Sequence, residues 1–65
     1  MNKVVLAFPD AASMAEFILT EKITYAETNI AEHTLITVLT ESQIEKACQQ
    51  FDAVIKQISR LKNKS

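Results

Sequence analysis

Residues 40–62, TESQIEKACQQFDAVIKQISRLK, form the most regular stretch of the chain. Thr40, followed three residues later by Gln43, has the spacing of a capping box at the start of a helix. Beyond this start the apolar residues are separated by gaps of three or one, which keeps them on one face of a helix. They are Ile44, Ala47, Cys48, Phe51, Val54, Ile55, Ile58 and Leu61. The pattern predicts a single helix over residues 41–62.

The length of this predicted helix affects how it can pack. At 1.5 Å per residue the helix would reach about 33 Å, whereas a strand of seven residues reaches about 23 Å. We therefore expect the helix to extend past the sheet beneath it. Ile58 and Leu61 would lie on that extension and would need a cover.

The N-terminal part of the chain predicts a strand followed by a helix. Residues 3–8, KVVLAF, are a short apolar run that ends at Pro9, as is typical of a buried strand. Asp10 is a suitable N-cap for a helix that begins at Ala11. The apolar residues of AASMAEFILTEK recur at spacings of three and four, which indicates an amphipathic helix. The β-branched cluster at Ile23–Tyr25 is predicted to end it.

Residues 23–40 have the composition of β structure, with threonine, isoleucine, valine and tyrosine throughout. Eighteen residues are too many for one strand in so small a domain. The chain is predicted to fold back near Thr28–Glu32, where Asn29 tolerates the left-handed backbone that a turn often needs. The second limb, HTLITVLT (33–40), is the stronger strand.

These elements predict one α+β domain over residues 1–65, with the order β-α-β-β-α. We expect a three-stranded antiparallel sheet with both helices on one face. This is the ferredoxin-like (split β-α-β) arrangement lacking its fourth strand. The first strand, Lys3 to Phe8, would then keep an open and apolar edge.

Alternation along the strands predicts that the sheet has two apolar faces. Val4, Leu6 and Phe8 should face the helices, while Lys3, Val5 and Ala7 should face away. In the central strand, Leu35 and Leu39 fall on one face, and Ile36 and Val38 on the other. Two helices cannot cover both faces, so one apolar face is left for a partner.

The composition argues against catalysis and against a resident cofactor. The 65 residues include no glycine, one cysteine and one histidine. Phosphate-binding loops, nucleophile elbows and dinucleotide-binding turns depend on glycine. One cysteine can form no disulfide within the chain, and with one histidine it cannot supply four zinc ligands. We expect no enzyme activity, no cofactor and no metal.

Two residue groups have the side chains of a chemical site but are predicted to be structural. Cys48 and His33 are the candidate nucleophile and imidazole, but Cys48 falls within an apolar helical stripe, where a buried thiol is inert. Glu27, Glu32 and His33 could hold a divalent ion only if they shared one face, and alternation separates Glu32 from His33. A solvated hairpin tip explains this second group.

Charge is unevenly placed along the chain. Residues 1–52 carry eight acids and three lysines, whereas residues 53–65 carry Lys56, Arg60, Lys62 and Lys64 and no acid. Cations suit the end of a helix dipole, which is how we interpret this basic turn. The apolar run at residues 4–8 is too short for a signal peptide or a membrane span, so a cytoplasmic protein is expected.

The sequence predicts a non-catalytic module that completes itself by homodimerisation, through the open edge of the first strand, the second face of the sheet, or both. The candidate interface residues are Val5, Ala7, Tyr25, Ile58 and Leu61. One alternative is an amino-acid-type sensing domain that binds a small molecule at a subunit interface, near Asp10–Ser13 or Thr40–Ser42. A further alternative is weak nucleic-acid binding through the basic C-terminal turn, although we expect neither a nucleic acid nor a membrane as the main partner.

Overall fold

The computed structural model of this chain describes residues 1–60. These residues form six elements, namely β1 (Asn2–Ala7), α1 (Ala11–Thr20), β2 (Ala26–Asn29), β3 (Thr34–Leu39), α2 (Glu41–Gln50) and β4 (Val54–Arg60). The strands build one sheet in the order β2-β3-β1-β4. Every neighbouring pair of strands in it is antiparallel. The predicted α+β class with two helices is confirmed.

The core lies between the two helices and one face of the sheet. The predicted alternation in β1 is confirmed, because Val4, Leu6 and Phe8 belong to the same buried cluster as the helix residues. That cluster also contains Met14, Phe17, Leu35, Leu39, Ile44, Ala47 and Ala53. Both helices therefore pack on the same side of the sheet, as predicted.

Phe17 lies at the centre of this core and has no solvent exposure. Its ring centroid is 5.6 Å from that of Phe8 and 5.3 Å from that of Phe51, with the Phe51 ring nearly edge-on at 76°. Edge-to-face aromatic pairs at such distances add to the stabilisation that burial provides. The three phenylalanines join β1, α1 and the end of α2 in one contact.

Both predicted helix starts are confirmed. The Asp10 carboxylate accepts a hydrogen bond of 2.7 Å from the Ser13 N–H, as an N-cap does. The Thr40 hydroxyl accepts from the Gln43 N–H at 3.2 Å, and the Gln43 side chain accepts from the Thr40 N–H at 2.9 Å. This is a complete capping box at the start of α2.

Three residues with positive φ take the places where glycine is usual. Lys22 (φ 54°) follows α1, His33 (φ 57°) precedes β3, and Asp52 (φ 58°) follows α2. The chain folds back at residues 30–33, close to the predicted Thr28–Glu32, and the left-handed residue of this turn is His33 rather than Asn29. Asn29 ends β2 in extended backbone, and its side chain accepts a hydrogen bond from the Glu32 N–H instead.

Lys22 completes a Schellman motif at the end of α1. The Ile23 N–H donates to the Ile18 carbonyl at 3.0 Å, and the Lys22 N–H donates to the Leu19 carbonyl at 3.3 Å. Ile18 and Ile23 both pack against the core, which is the apolar contact that accompanies this motif. The helix thus ends in a motif whose left-handed position is usually glycine and is Lys22 in this chain.

Replacing Lys22 by glycine is expected to raise the free energy of unfolding by about 1 kcal/mol. A left-handed conformation costs a residue with a Cβ roughly 1–2 kcal/mol, and the extra entropy of unfolded glycine offsets part of that gain. Lys22→Ala keeps the Cβ and is the matched control, with no gain expected. Chemical denaturation of both variants measures the difference. Equal stability of the two would contradict the strain that we assign to this position.

The predicted helix over 41–62 is wrong in its second half, since α2 ends at Gln50 and residues 54–60 form β4. Asp52 with its positive φ turns the chain, and the Ala53 N–H donates to the Ala47 carbonyl at 3.1 Å. The β-branched residues Val54, Ile55 and Ile58 favour a strand. The spacing of the apolar residues allows either a helix or a strand here, and pairing with β1 selects the strand.

The fourth strand overturns three linked predictions. The sheet has four strands rather than three, and the order differs from the predicted pattern by the addition of β4 beside β1. Lys3 to Phe8 therefore has no open edge, because β1 lies between β3 and β4. No overhanging helix carries Ile58, which pairs with Val4 in the sheet. Leu61 lies outside the described residues.

Candidate interaction surface

The sheet has one face that neither helix covers, and strand pairing arranges its residues in three rows across the order β2-β3-β1-β4. The first row is Tyr25, Val38, Lys3, Ser59, where Tyr25 continues the β2–β3 register by one residue. The second row is Glu27, Ile36, Val5, Gln57. The third row is Asn29, Thr34, Ala7, Val54, and a register shift in β4 leaves Lys56 unpaired between Gln57 and Val54. We call this surface the open face.

Apolar and polar residues are segregated on the open face. The apolar residues occupy two adjacent positions in each row, and these positions shift by one strand from one row to the next. The result is a diagonal band made of Tyr25, Val38, Ile36, Val5, Ala7 and Val54. Tyr25 is 60% exposed and Val54 58% exposed, while the four residues between them are half-buried. No described element covers this band.

Polar residues fill the two corners beside the diagonal band. Lys3, Ser59 and Gln57 form one corner, and Glu27, Asn29 and Thr34 form the other. A shallow hollow of about 290 Å³ crosses the band and is lined by Lys3, Val5, Glu27, Ile36, Gln57 and Ser59. The apolar band is therefore flanked by polar residues on two sides and reaches the margin of the sheet at Tyr25 and Val54.

Tyr25 lies just before β2, at the end of the band farthest from Val54, and β3 separates it from Val5 and Ala7 of β1. Its backbone is held by the Thr37 hydroxyl, which donates to the Tyr25 carbonyl at 2.6 Å. Its own hydroxyl donates to Glu27 Oε2 at 3.1 Å. This hydrogen bond and the carboxylate charge raise the pKa of the Tyr25 phenol.

Four of the five predicted interface residues lie within the described residues, and they fall into two groups. Val5, Ala7 and Tyr25 share the open face. Ile58 is paired with Val4 and so belongs to the helix side of the sheet, where it is 46% exposed at the β4 edge. Sequence reasoning missed Val54, because it assigned that residue to a helix.

No described residues assemble into the chemical sites that were weighed. Among residues 1–60, no group of three or more His, Cys, Asp or Glu side chains could hold a metal ion, which includes Glu27, Glu32 and His33. Cys48 is half-buried and packs against the core. His33 lies in the β2–β3 turn, where its carbonyl accepts from the Phe8 N–H at 2.8 Å.

The helix N-termini proposed for a sensing domain are occupied by their own caps. The Asp10 carboxylate accepts a hydrogen bond from the Ser13 N–H, and its hydrogen bonding to Ser13 lowers the pKa of the Asp10 carboxyl. The capping box of Thr40 and Gln43 uses the corresponding groups of α2. An anionic ligand at either place would have to displace a cap.

A second hollow, also of about 290 Å³, lies between the end of α1, the start of α2 and Tyr25 at the end of the diagonal band, and Glu21 and Gln43 in its lining contact each other. Glu21 Oε2 is 3.0 Å from the Lys46 ammonium, and Gln43 Nε2 donates to Glu21 Oε1 at 3.4 Å. These contacts join the end of α1 to the start of α2. They explain the polar residues there without a ligand.

The basic C-terminal turn is not built as predicted. Lys56 belongs to strand β4, as does Arg60, whereas Lys62 and Lys64 lie outside the described residues. The helix whose dipole the cations were expected to complement ends at Gln50.

Comparison with known proteins gives no relative for this chain. No family model, no curated protein and no solved structure matches it. Among residues 1–60, none of the helices has the length and apolar character that crossing a membrane requires. Function must therefore be argued from the surface itself.

Proposed function

We propose that this chain is a non-catalytic, homo-oligomeric interaction module in which the open face of one copy packs against that of another. In this proposal the β-α-β-β-α-β order, with β1 and β3 central, makes the domain ferredoxin-like. The observation that carries the proposal is the diagonal band, whose apolar residues cross the sheet without a gap. A sheet that is apolar on both faces is normally covered on both, which supports a partner on the open face.

Domain size supports a partner. A domain near 65 residues buries only about 60% of the surface that its unfolded chain exposes, and its core supplies roughly 3–5 kcal/mol. The chain has no disulfide to add stability. Packing a second copy against the open face would enlarge the buried core, because the two helices of one copy cover only the other face of the sheet.

The charges of the open face favour a second copy over a nucleic acid. The three rows of the open face contain one cation, Lys3, and one anion, Glu27, while Lys56 at the register shift of β4 belongs to none of the rows. A nucleic-acid surface would need a basic field instead. A surface with one charge of each sign can complement itself.

The dimensions of the open face predict the strength of association. Each row extends over three strand spacings, about 14 Å across the strands, and the three rows together extend about 14 Å along the strands. With side chains at the margins, each copy would bury on the order of 400 Å², well below the roughly 800 Å² of a standard interface. We therefore expect a reversible dimer with a dissociation constant in the micromolar range.

The proposal is tested by the mass of the unmodified chain in solution as a function of concentration. Light scattering should give an average mass that rises from 7.3 kDa towards twice that value as concentration passes through the micromolar range. Saturation at the dimer is expected because two open faces cover each other completely. A mass of 7.3 kDa at every concentration would refute the proposal.

A further inference from the structure

The arrangement of the open face also defines how two copies would meet. We infer that they pack face to face about a two-fold axis that runs along the diagonal band, with Lys3 of each copy paired with Glu27 of the other. This inference rests on the proposed function and specifies its partner geometry. It follows from the register of the strands together with standard strand spacings.

The diagonal band is straight enough to serve as a symmetry axis. On an idealised grid that flattens the sheet twist and places Val54 opposite Ala7 across the register shift of β4, strands are about 4.8 Å apart and alternate residues about 6.8 Å apart. A line can be drawn on this grid midway between Val38 and Ile36. Extended midway between Val5 and Ala7, the same line passes within about 2 Å of all six band positions. A two-fold axis on this line places each apolar residue over apolar residues of the second copy.

The polar corners become complementary under the same rotation. Lys3 and Glu27 lie on opposite sides of the line, each about 6 Å from it, so the rotation places Lys3 over Glu27 of the second copy. Because a two-fold interface is isologous, this charge pair occurs twice. Gln57 falls over Thr34 and Ser59 falls near Asn29, so amide and hydroxyl groups meet each other rather than apolar side chains.

Both charged residues are available for this pairing. Lys3 and Glu27 are exposed. Neither forms an ion pair with another residue in the described range 1–60, although Glu27 accepts the Tyr25 hydrogen bond. The second carboxylate oxygen of Glu27 remains to accept from a lysine.

The axis direction sets the angle between the two sheets. The line lies about 35° from the strands, so strands of the two copies cross at about 70°. This is close to the orthogonal class of sheet packing. With an axis parallel to the strands, between β3 and β1, Lys3 would instead lie over Val38 of the other copy. That arrangement buries an unpaired charge and is disfavoured.

Charge reversal tests the pairing. Lys3→Glu or Glu27→Lys alone places like charges opposite each other twice, so each should raise the dimer dissociation constant at least about tenfold. The double variant restores opposite charges and should bring the constant back to within about threefold of the unmodified chain. Glu16→Lys, on the exposed side of α1, is the control and should leave the constant unchanged.

Sedimentation equilibrium at low ionic strength measures all four variants, and circular dichroism verifies that each is folded. A dimer that neither single reversal weakens would overturn the axis while leaving the proposed function intact. A double variant as weak as the singles would also overturn the pairing. An unmodified chain that never dimerises would refute the proposed function itself, so the two failures are distinct.

Discussion

Phe17→Ala is expected to unfold the domain at room temperature. Phe17 is fully buried and contacts the rings of Phe8 and Phe51, so truncation leaves a cavity bounded by β1, α1 and the end of α2. A Phe→Ala change in a core costs about 3–5 kcal/mol. A core of this size supplies roughly 3–5 kcal/mol in total. The loss therefore matches the whole stability of the monomer.

Thermal denaturation followed by circular dichroism measures this effect at a concentration low enough to keep the copies apart. The variant should show no cooperative transition, whereas the unmodified chain should melt cooperatively. Leu19→Ala is the control on the same helix, because Leu19 is 77% exposed. Leu19→Ala should change the free energy of unfolding by no more than about 0.5 kcal/mol. A cooperative melt of Phe17→Ala near that of the control would contradict the core described above.

Much of the fold could be predicted from local signals. The strand at β1, the cap at Asp10, and the capping box at Thr40 each depend on residues close together in sequence. Such features can be predicted from short stretches of sequence, because the residues that form the capping hydrogen bonds are the same few residues that make up the recognisable pattern. The alternation that buries Val4 and Leu6 was predictable for the same reason.

The end of α2 could not be found by those rules. Helices often end at glycine, and here Asp52 adopts the left-handed conformation without that signal. The apolar spacing from Ile44 to Ile58 fits a helix throughout, so periodicity alone cannot separate α2 from β4. Residues 54–60 form a strand because β4 pairs with β1, which is distant in sequence. An apolar strand edge left open in the predicted fold, together with the β-branched run at 54–58, was the available clue.

The candidate site was predictable only in part for a similar reason. Alternation placed Val5 and Ala7 on the uncovered face, and it also separated Ile36 and Val38 from the core side of β3. The diagonal band, however, depends on the register between strands and on β4, which supplies Val54. No pattern within one strand reveals how residues of four strands line up.

Val5→Lys is expected to abolish association without unfolding the chain. Val5 lies in the middle of the diagonal band, on the face opposite the core. In the dimer, two lysines would face each other near the two-fold axis, where neither has an acidic partner. Burying unpaired like charges costs several kcal/mol, which exceeds what a small interface can offset. We expect the dissociation constant to rise by at least about a hundredfold.

In the monomer the same substitution should be tolerated. The lysine stem can lie along the sheet while its ammonium group reaches water at the edge of the band. Circular dichroism should therefore show the helix and strand content of the unmodified chain. Leu19→Lys provides the matched control, because it adds the same charge at an exposed apolar residue on the helix side.

Sedimentation equilibrium of Val5→Lys beside Leu19→Lys, at a concentration where the unmodified chain is dimeric, distinguishes association through the open face from association elsewhere. If the open faces meet, Val5→Lys has a mass of 7.3 kDa and Leu19→Lys has twice that mass. A dimeric Val5→Lys would show that the copies meet somewhere other than the diagonal band.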